Sequence, residues 1–237
     1  MTKLLYLIAV LGAAVSLSAL SCAPAGAIIV PGTSDPYLAG MPDGSTASQE
    51  DIAPAQSPVL ATGISLLAGS SLTFAAIGSV NNVPGPSGLG PDGDGFYNHF
   101  MDGAQNGISD VTAPLNSLVG VFLDANQPSL SSAPAALDFS APGGLDFLTL
   151  SPGLKQIFFI GDGVTSANAV QQFVIPTGAT RLYLGTMDGY GWDNNEGAFD
   201  VTVNAPSTAV PEPGSLSLLG VGLASLAALR RRKRPAR

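Results

Sequence analysis

The chain is poor in basic residues, and those it has are unevenly placed. Of nine Lys and Arg in 237 residues, Lys3 lies near the N-terminus and six follow Leu229. Only Lys155 and Arg181 stand between Ile28 and Val210, against sixteen of the seventeen Asp and Glu, which gives that stretch a formal charge of −14. Such a surface repels nucleic acid and anionic membranes and draws divalent cations. Cysteine is nearly absent, Cys22 being the only one. Cleavage of an N-terminal signal after Ala27 would leave no disulfide and no thiol chemistry. There is one histidine, His99, and one tryptophan, Trp192. No Gly-x-Ser-x-Gly elbow and no His-Glu-x-x-His helix occurs. Asp138 and Asp146 are the paired carboxylates a glycosidase would need, yet they fall on alternating strands, where surface Asp are common. We therefore expect no enzyme.

What is present points to β-structure. Apolar residues make up 46%, charged residues only 11%, and Gly (29) and Pro (19) are frequent. This is a turn-rich β composition. Residues 1–27 read as a secretory signal: Lys3, an apolar run from Leu4 to Leu20, and the cleavage pattern Ala25-Gly26-Ala27. Ala19-Leu20-Ser21-Cys22 leaves a lipoprotein signal as the alternative. Residues 28–58 are extended and proline-punctuated, with Tyr37–Met41 a candidate edge strand. Val59–Leu66 and Leu72–Gly78 read as a strand pair around Ala68-Gly69-Ser70. Residues 81–110 form a long glycine-rich loop carrying Asp92, Asp94, Tyr97, His99 and Asp102; Asp92-Gly93-Asp94-Gly95 reads as Asp-Gly turns, with a second Ca²⁺ loop as the alternative, although no Glu closes it at EF-hand spacing. Leu118–Leu123 is a buried strand by its continuous apolar run. Short strands follow at Leu137–Phe139, Leu145–Leu148, Gln156–Ile160 and Gln172–Ile175. The sum is an all-β chain, an antiparallel β-sandwich over residues 28–205, with an N-terminal signal helix and a C-terminal short transmembrane helix.

The densest polar cluster lies in Arg181–Asn204. Arg181–Gly185 and Phe199–Asn204 alternate with period 2 and read as the arms of a hairpin. Between them stand Asp188, Asp193, Asn194, Asn195 and Glu196, spaced by Gly189, Gly191 and Gly197. Carboxylates, amide carbonyls and backbone carbonyls are the hard oxygen ligands of Ca²⁺. A polar loop of this composition also forms without metal. Leu-x-Leu-Gly-x-x-Asp followed by Asn-Asn-x-Gly-x-Phe-x-Val-x-Val resembles the calcium-binding segment of the bacterial calcium-dependent galactophilic (PA-IL-like) lectins, which are galactose-binding-domain-like β-sandwiches. The block Gly-Ile-x-Leu through Phe-x-Ala at residues 63–76 and the phrase Phe-x-Ile-Pro-x-Gly-Ala at 173–179 are similar too. The resemblance implies Ca²⁺ held by Asp188, Asn194, Asn195 and a carbonyl near Gly191, with a further carbonyl near Val80 to Asn82. It implies a galactose-type sugar or extracellular polysaccharide against Tyr97, His99 and Asp92. A sugar binder also needs exposed aromatics beside the metal, which Tyr190, Trp192 and Tyr97 are placed to supply. Trp192 equally reads as a cap packed on the sandwich. The Asp188-to-Asn194 gap is shorter than in those lectins.

Residues 206–213 are a Pro/Ser/Thr linker. Pro211-Glu212-Pro213 precedes an apolar segment, Gly214 to Leu229, and then Arg230-Arg231-Arg232-Lys233-Arg234. The apolar run is a short spanning helix, and the basic cluster holds its end on the cytoplasmic side. The order of the three parts resembles the PEP-CTERM sorting signal of Gram-negative-type bacteria at 206–237. That resemblance implies an exosortase as partner, transient membrane attachment through the uncleaved tail, delivery to the cell surface or matrix, and company with exopolysaccharide.

Overall fold

The computed structural model describes residues 26–82, 88–100 and 102–205. The signal segment with Cys22 and Ala25, the Pro211-Glu212-Pro213 motif and the expected C-terminal helix lie outside the described residues. Among the described residues no helix is long and apolar enough to cross a membrane.

Among the described residues fourteen strands follow in order: β1 Ile28–Pro31, β2 Thr46–Ala47, β3 Asp51–Ile52, β4 Val59–Leu60, β5 Ser71–Asn81, β6 Asp94–Asn98 and β7 Val111–Leu115. The second half adds β8 Leu118–Leu123, β9 Leu137–Asp138, β10 Thr149–Leu150, β11 Ile157–Phe159, β12 Gln172–Val174, β13 Arg181–Thr186 and β14 Glu196–Asn204. One sheet runs β1-β14-β5-β12-β10 and a second runs β11-β8-β13-β4. A three-stranded sheet, β6-β7-β9, and the β2-β3 pair complete the set. The all-β expectation holds. Pairing is antiparallel except at β10–β12 and β7–β9, which are parallel.

The two larger sheets meet through aromatic side chains. Phe158 of β11 lies 5.7 Å from Phe173 of β12, centroid to centroid, and Phe173 meets Phe74 of β5 edge-on at 5.0 Å. Phe122 stacks on Phe158 at 5.2 Å. Full burial of such a side chain contributes about 1.5–3 kcal/mol. Leu118–Leu123 is buried at every residue, as its apolar run predicts, because β8 is flanked by β11 and β13 within its sheet. Gly120 lets Phe158 lie across this strand: a Cβ there would come 2.7 Å from the Phe158 ring.

Four local expectations are corrected. Arg181–Thr186 and Glu196–Asn204 are not arms of one hairpin. β13 pairs with β8 and β4, while β14 pairs with β1 and β5, so residues 187–195 cross from one sheet to the other. Period-2 alternation marks a half-buried strand without naming its partner. Val59–Leu66 and Leu72–Gly78 are likewise not a pair: β4 pairs with β13, and β5 takes β14 and β12. Tyr37–Met41 is no edge strand. Pro36–Leu38 is a buried 3-10 turn, because Pro36 presets its backbone and Asp35 accepts the Tyr37 N–H at 2.7 Å. Leu145–Leu148 is turn and coil, with the strand at β10 just beyond it.

The two basic side chains of this region both hold the loop after β8. Arg181 donates to the Asp124 carbonyl from Nε (2.8 Å) and Nη2 (2.6 Å), and to the Asn126 carbonyl. Lys155 Nζ donates to the Ser131 and Ser132 carbonyls. A guanidinium forks onto two carbonyls where an ammonium reaches as a single point. Arg181→Lys is therefore expected to cost about 1.5–3 kcal/mol of stability, read as a lower urea midpoint with an unchanged slope.

Candidate functional site

The crossover 187–195 is organised around Trp192, which is fully buried. Its indole N–H donates to the Thr186 carbonyl at 2.8 Å, and its backbone N–H donates to Asp51 Oδ2 at 2.8 Å. Tyr37 and His99 stack at 4.2 Å, and Trp192 meets both edge-on, at 5.9 and 5.7 Å. Trp192 thus takes the capping role, with no face left for a soluble ligand. His99 is also core rather than a ligand contact on a polar loop. It is 3% exposed, and its Nδ1 lies 3.0 Å from the Gly103 carbonyl. Stacking on the buried Tyr37 ring removes it from solvent.

Asp188 begins the loop. Its Oδ1 accepts the N–H groups of Gly189 at 2.5 Å and Tyr190 at 3.2 Å, a turn closed by its own side chain. Burial pushes its carboxyl above the usual range, opposed by hydrogen bonds from the Asn195 side chain and from Gly189 and Tyr190. Asn195 is buried and donates from Nδ2 to the Gly32 carbonyl at 3.2 Å, which also accepts from Thr186 Oγ1 at 2.6 Å. Of the four sequence-derived metal ligands, Asp188 and Asn195 are therefore brought together. Asn194 is exposed, and Gly191 is buried beside Trp192.

Tyr97 and Tyr190 are the exposed aromatics of the set, at 39% and 52%. The Tyr97 ring lies against Gly189, where a Cβ would come 1.7 Å from it. Phe100, 47% exposed, donates its backbone N–H to the Gly189 carbonyl and faces Tyr190 at 6.4 Å. Tyr97, Phe100 and Tyr190 thus share a surface fastened to the turn that Asp188 closes. Phe100 had no sequence signal, because only the fold brings residue 100 to residue 189.

Behind the crossover lies a pair that sequence reasoning missed. Asp35 and Asp51 are both fully buried. Asp35 accepts from the Tyr37 N–H and from Ser48 Oγ at 3.0 Å. Asp51 anchors Trp192 through Oδ2, and its Oδ1 has no partner. Burial, with the Asp51 charge next, pushes Asp35 well up. Burial also lifts Asp51 to about 6, aided by Asp193 and Asp188 and opposed by the Trp192 N–H. No periodicity links residues 35 and 51, so no motif marked them.

Three other carboxylates have local duties. Asp138 accepts from the Ser140 hydroxyl and N–H, which hold its carboxyl below the usual range. Asp146 accepts from Ser166 N–H and Oγ at 2.7 and 3.0 Å. Asp92 accepts the Asp162 N–H at 3.0 Å beside an open cavity of about 370 Å³ that Asp146 and Asp162 also line. No group of three His, Cys, Asp or Glu able to hold a metal ion is found among the described residues. A site of one carboxylate completed by amide and backbone oxygens is a different donor set. Asp188 with the orphaned Asn195 Oδ1 fits that set chemically.

Comparison with known families places one part of the chain. Residues 209–233 match the PEP-CTERM protein-sorting motif and include Pro211, Glu212 and Pro213. The chain therefore carries the sorting signal of an exported, exosortase-processed protein, with a membrane-anchoring C-terminal segment. No curated protein and no solved structure matches it.

Proposed function

We propose that this is a surface-sorted extracellular protein whose β-sandwich binds carbohydrate or matrix polymer beside a Ca²⁺-organised loop. The observation that carries this reading is the exposed aromatic group Tyr97, Phe100 and Tyr190, fixed on the turn that Asp188 closes. Exposed rings gathered at one place suit the apolar faces of sugar rings, and the neighbouring carboxylates suit their hydroxyls. Asp188 and Asn195 would hold the ion, with backbone carbonyls such as that of Gly191 and solvent filling the remaining positions. Bound Ca²⁺ would supply a fixed positive centre for hydroxyl oxygens in a strongly acidic region. That same acidity disfavours anionic polymers and favours neutral, galactose-type sugars or exopolysaccharide.

The test is titration of a galactose-type sugar panel and a neutral polysaccharide into the full chain, with Ca²⁺ and with chelator. Tyr97→Ala and Tyr190→Ala are each expected to weaken binding by about 1–3 kcal/mol, as for a truncated aromatic anchor. Binding that both variants retain unchanged would remove the reading. A second reading is a structural matrix protein in which Ca²⁺ only stabilises the crossover. The burial of Trp192 and His99 favours it. Calcium binding with no sugar response would select it.

A further inference from the structure

Among the described residues, six buried side-chain atoms have no hydrogen-bond partner: Asp51 Oδ1, His99 Nε2, Asn116 Oδ1, Ser117 Oγ, Gln171 Oε1 and Asn195 Oδ1. Buried polar atoms are nearly always paired, so each such atom calls for an explanation. Three of them, on Asn116, Ser117 and Asn195, belong to residues tied to the same short stretch, Thr186–Asp188, and two of the three are amide oxygens.

Asn116 and Ser117 form the turn between β7 and β8. The Asn116 N–H donates to the Met187 carbonyl at 2.7 Å, and the Met187 N–H donates to the Ser117 carbonyl at 2.8 Å. The turn is therefore clamped directly against the residue before Asp188. Asn116 is 2% exposed and holds φ +64, a conformation Asn tolerates better than most residues. Its Nδ2 donates to Asn82 Oδ1 at 3.1 Å, while its Oδ1 is unmet. Asn195 arrives from the other side. The last registered pair of β5 and β14 is Asn81–Glu196, so Asn82 and Asn195 are the next residues along the two strands. Asn195 is 6% exposed, shares the Gly32 carbonyl with Thr186 and hydrogen-bonds the Asp188 carboxylate, again with its Oδ1 unmet.

We infer that Asn116 Oδ1 and Asn195 Oδ1 are ligands of one cation site with the Asp188 carboxylate, so that the β7–β8 turn forms a wall of that site. The inference deepens the calcium reading above and rests on it. Two buried amide oxygens and one carboxylate form a hard-oxygen set that suits Ca²⁺, which accepts six to eight such ligands in irregular geometry. The set draws on the β7–β8 turn and the crossover. It therefore extends beyond residues 188–195, the only part that a linear motif could mark.

The test is titration of Ca²⁺, and separately of Tb³⁺ as a luminescent probe, into the full chain purified in detergent and stripped with chelator. Trp192, the only tryptophan, serves as the sensitiser. Asn116→Ala and Asn195→Ala are each expected to weaken Ca²⁺ binding by about tenfold or more. In chelator, Asn116→Ala should melt somewhat below the unmodified chain, because it loses the Nδ2 bond to Asn82 and places Ala at φ +64. The rise in melting temperature on adding Ca²⁺ should shrink in the same variant. Asn116→Asp keeps an oxygen in place and adds charge, so it should bind Ca²⁺ more tightly, and it decides the matter if Asn116→Ala does not fold. Unchanged Ca²⁺ affinity in a folded Asn116 variant would overturn this inference while leaving the calcium reading intact, provided Asp188→Asn still abolishes binding. Absence of Ca²⁺ binding in the unmodified chain at millimolar concentration would instead remove the calcium reading, and this site with it.

Discussion

Trp192→Ala is expected to destabilise the folded chain by about 3–5 kcal/mol, the largest effect of any single substitution in the crossover. The ring is fully buried, so its removal leaves a cavity bounded by Tyr37 and His99, which meet it edge-on. The Thr186 carbonyl, which accepts the indole N–H at 2.8 Å, would lose that partner inside the core. An orphaned buried acceptor adds about 1–3 kcal/mol to the cost of lost packing. For a domain of this size each kcal/mol moves the melting temperature by about 2–4 °C, so the expected drop is on the order of 10 °C. Far-UV circular dichroism during heating measures it without relying on the deleted fluorophore. Trp192→Phe restores most of the ring without the N–H and should recover about half of the loss. A melt of Trp192→Ala within about 1 kcal/mol of the unmodified chain would mean that the crossover is not anchored from below. The same substitution should weaken Ca²⁺ binding, because Asp188 and Asn195 sit on the two sides of Trp192 in the chain.

The behaviour of Trp192 also marks where sequence reasoning succeeds and where it stops. The strand at Leu118–Leu123 was legible because a continuous apolar run has one explanation in a β-rich chain, burial on both faces. The strand character of Arg181–Thr186 and Glu196–Asn204 was legible for a similar reason, their alternation. Their partners were not, because alternation carries no information about the neighbouring strand. Here the missing information changed the site: a hairpin tip would have left Trp192 at the surface, whereas a crossover between sheets carries it through the core. Asp188 stood out in the sequence as the loop's first carboxylate, and Asn195 as the second of two adjacent amides. Asp51 and Asn116 did not stand out, because they reach the same place from distant segments through single backbone contacts with Trp192 and Met187. Tyr97 and Tyr190 stand out in the sequence as aromatics near polar loops and are exposed, but Phe100 joins them only through its bond to Gly189.

The acidic pair behind Trp192 leads to the second large expectation: in chelator, the folded chain loses stability as pH rises from about 4 to about 7. Asp51 ionises at about 6 in the folded chain, and at about 3.9 in an unfolded one. Between those values the folded form holds a proton that the unfolded form has released. The stability this contributes is complete below about pH 4 and is lost as pH passes through about 6. The gap between the folded and unfolded values corresponds to roughly 2–3 kcal/mol. Asp35 is shifted in the same direction, by burial first and by the Asp51 charge second, and it adds to the slope. The groups facing Asp51 explain why no cation offsets this. Asp35 comes from the 3-10 turn, and Asp188 and Asp193 come from the crossover. The two basic residues of the region, Arg181 and Lys155, are engaged on carbonyls of the loop after β8. General repulsion within so acidic a region has the same sign, so the measurement needs a control. Asp51→Asn keeps an oxygen that can accept the Trp192 N–H and removes the charge. Urea unfolding at pH 4.5 and pH 7 should show a smaller pH difference for Asp51→Asn than for the unmodified chain, by about 2 kcal/mol. An equal slope in both proteins, or stability that rises through this window, would show that the pair does not hold its proton in the fold. Added Ca²⁺ should flatten the slope from the other direction, because a cation bound at Asp188 lowers the cost of ionising Asp51 at neutral pH.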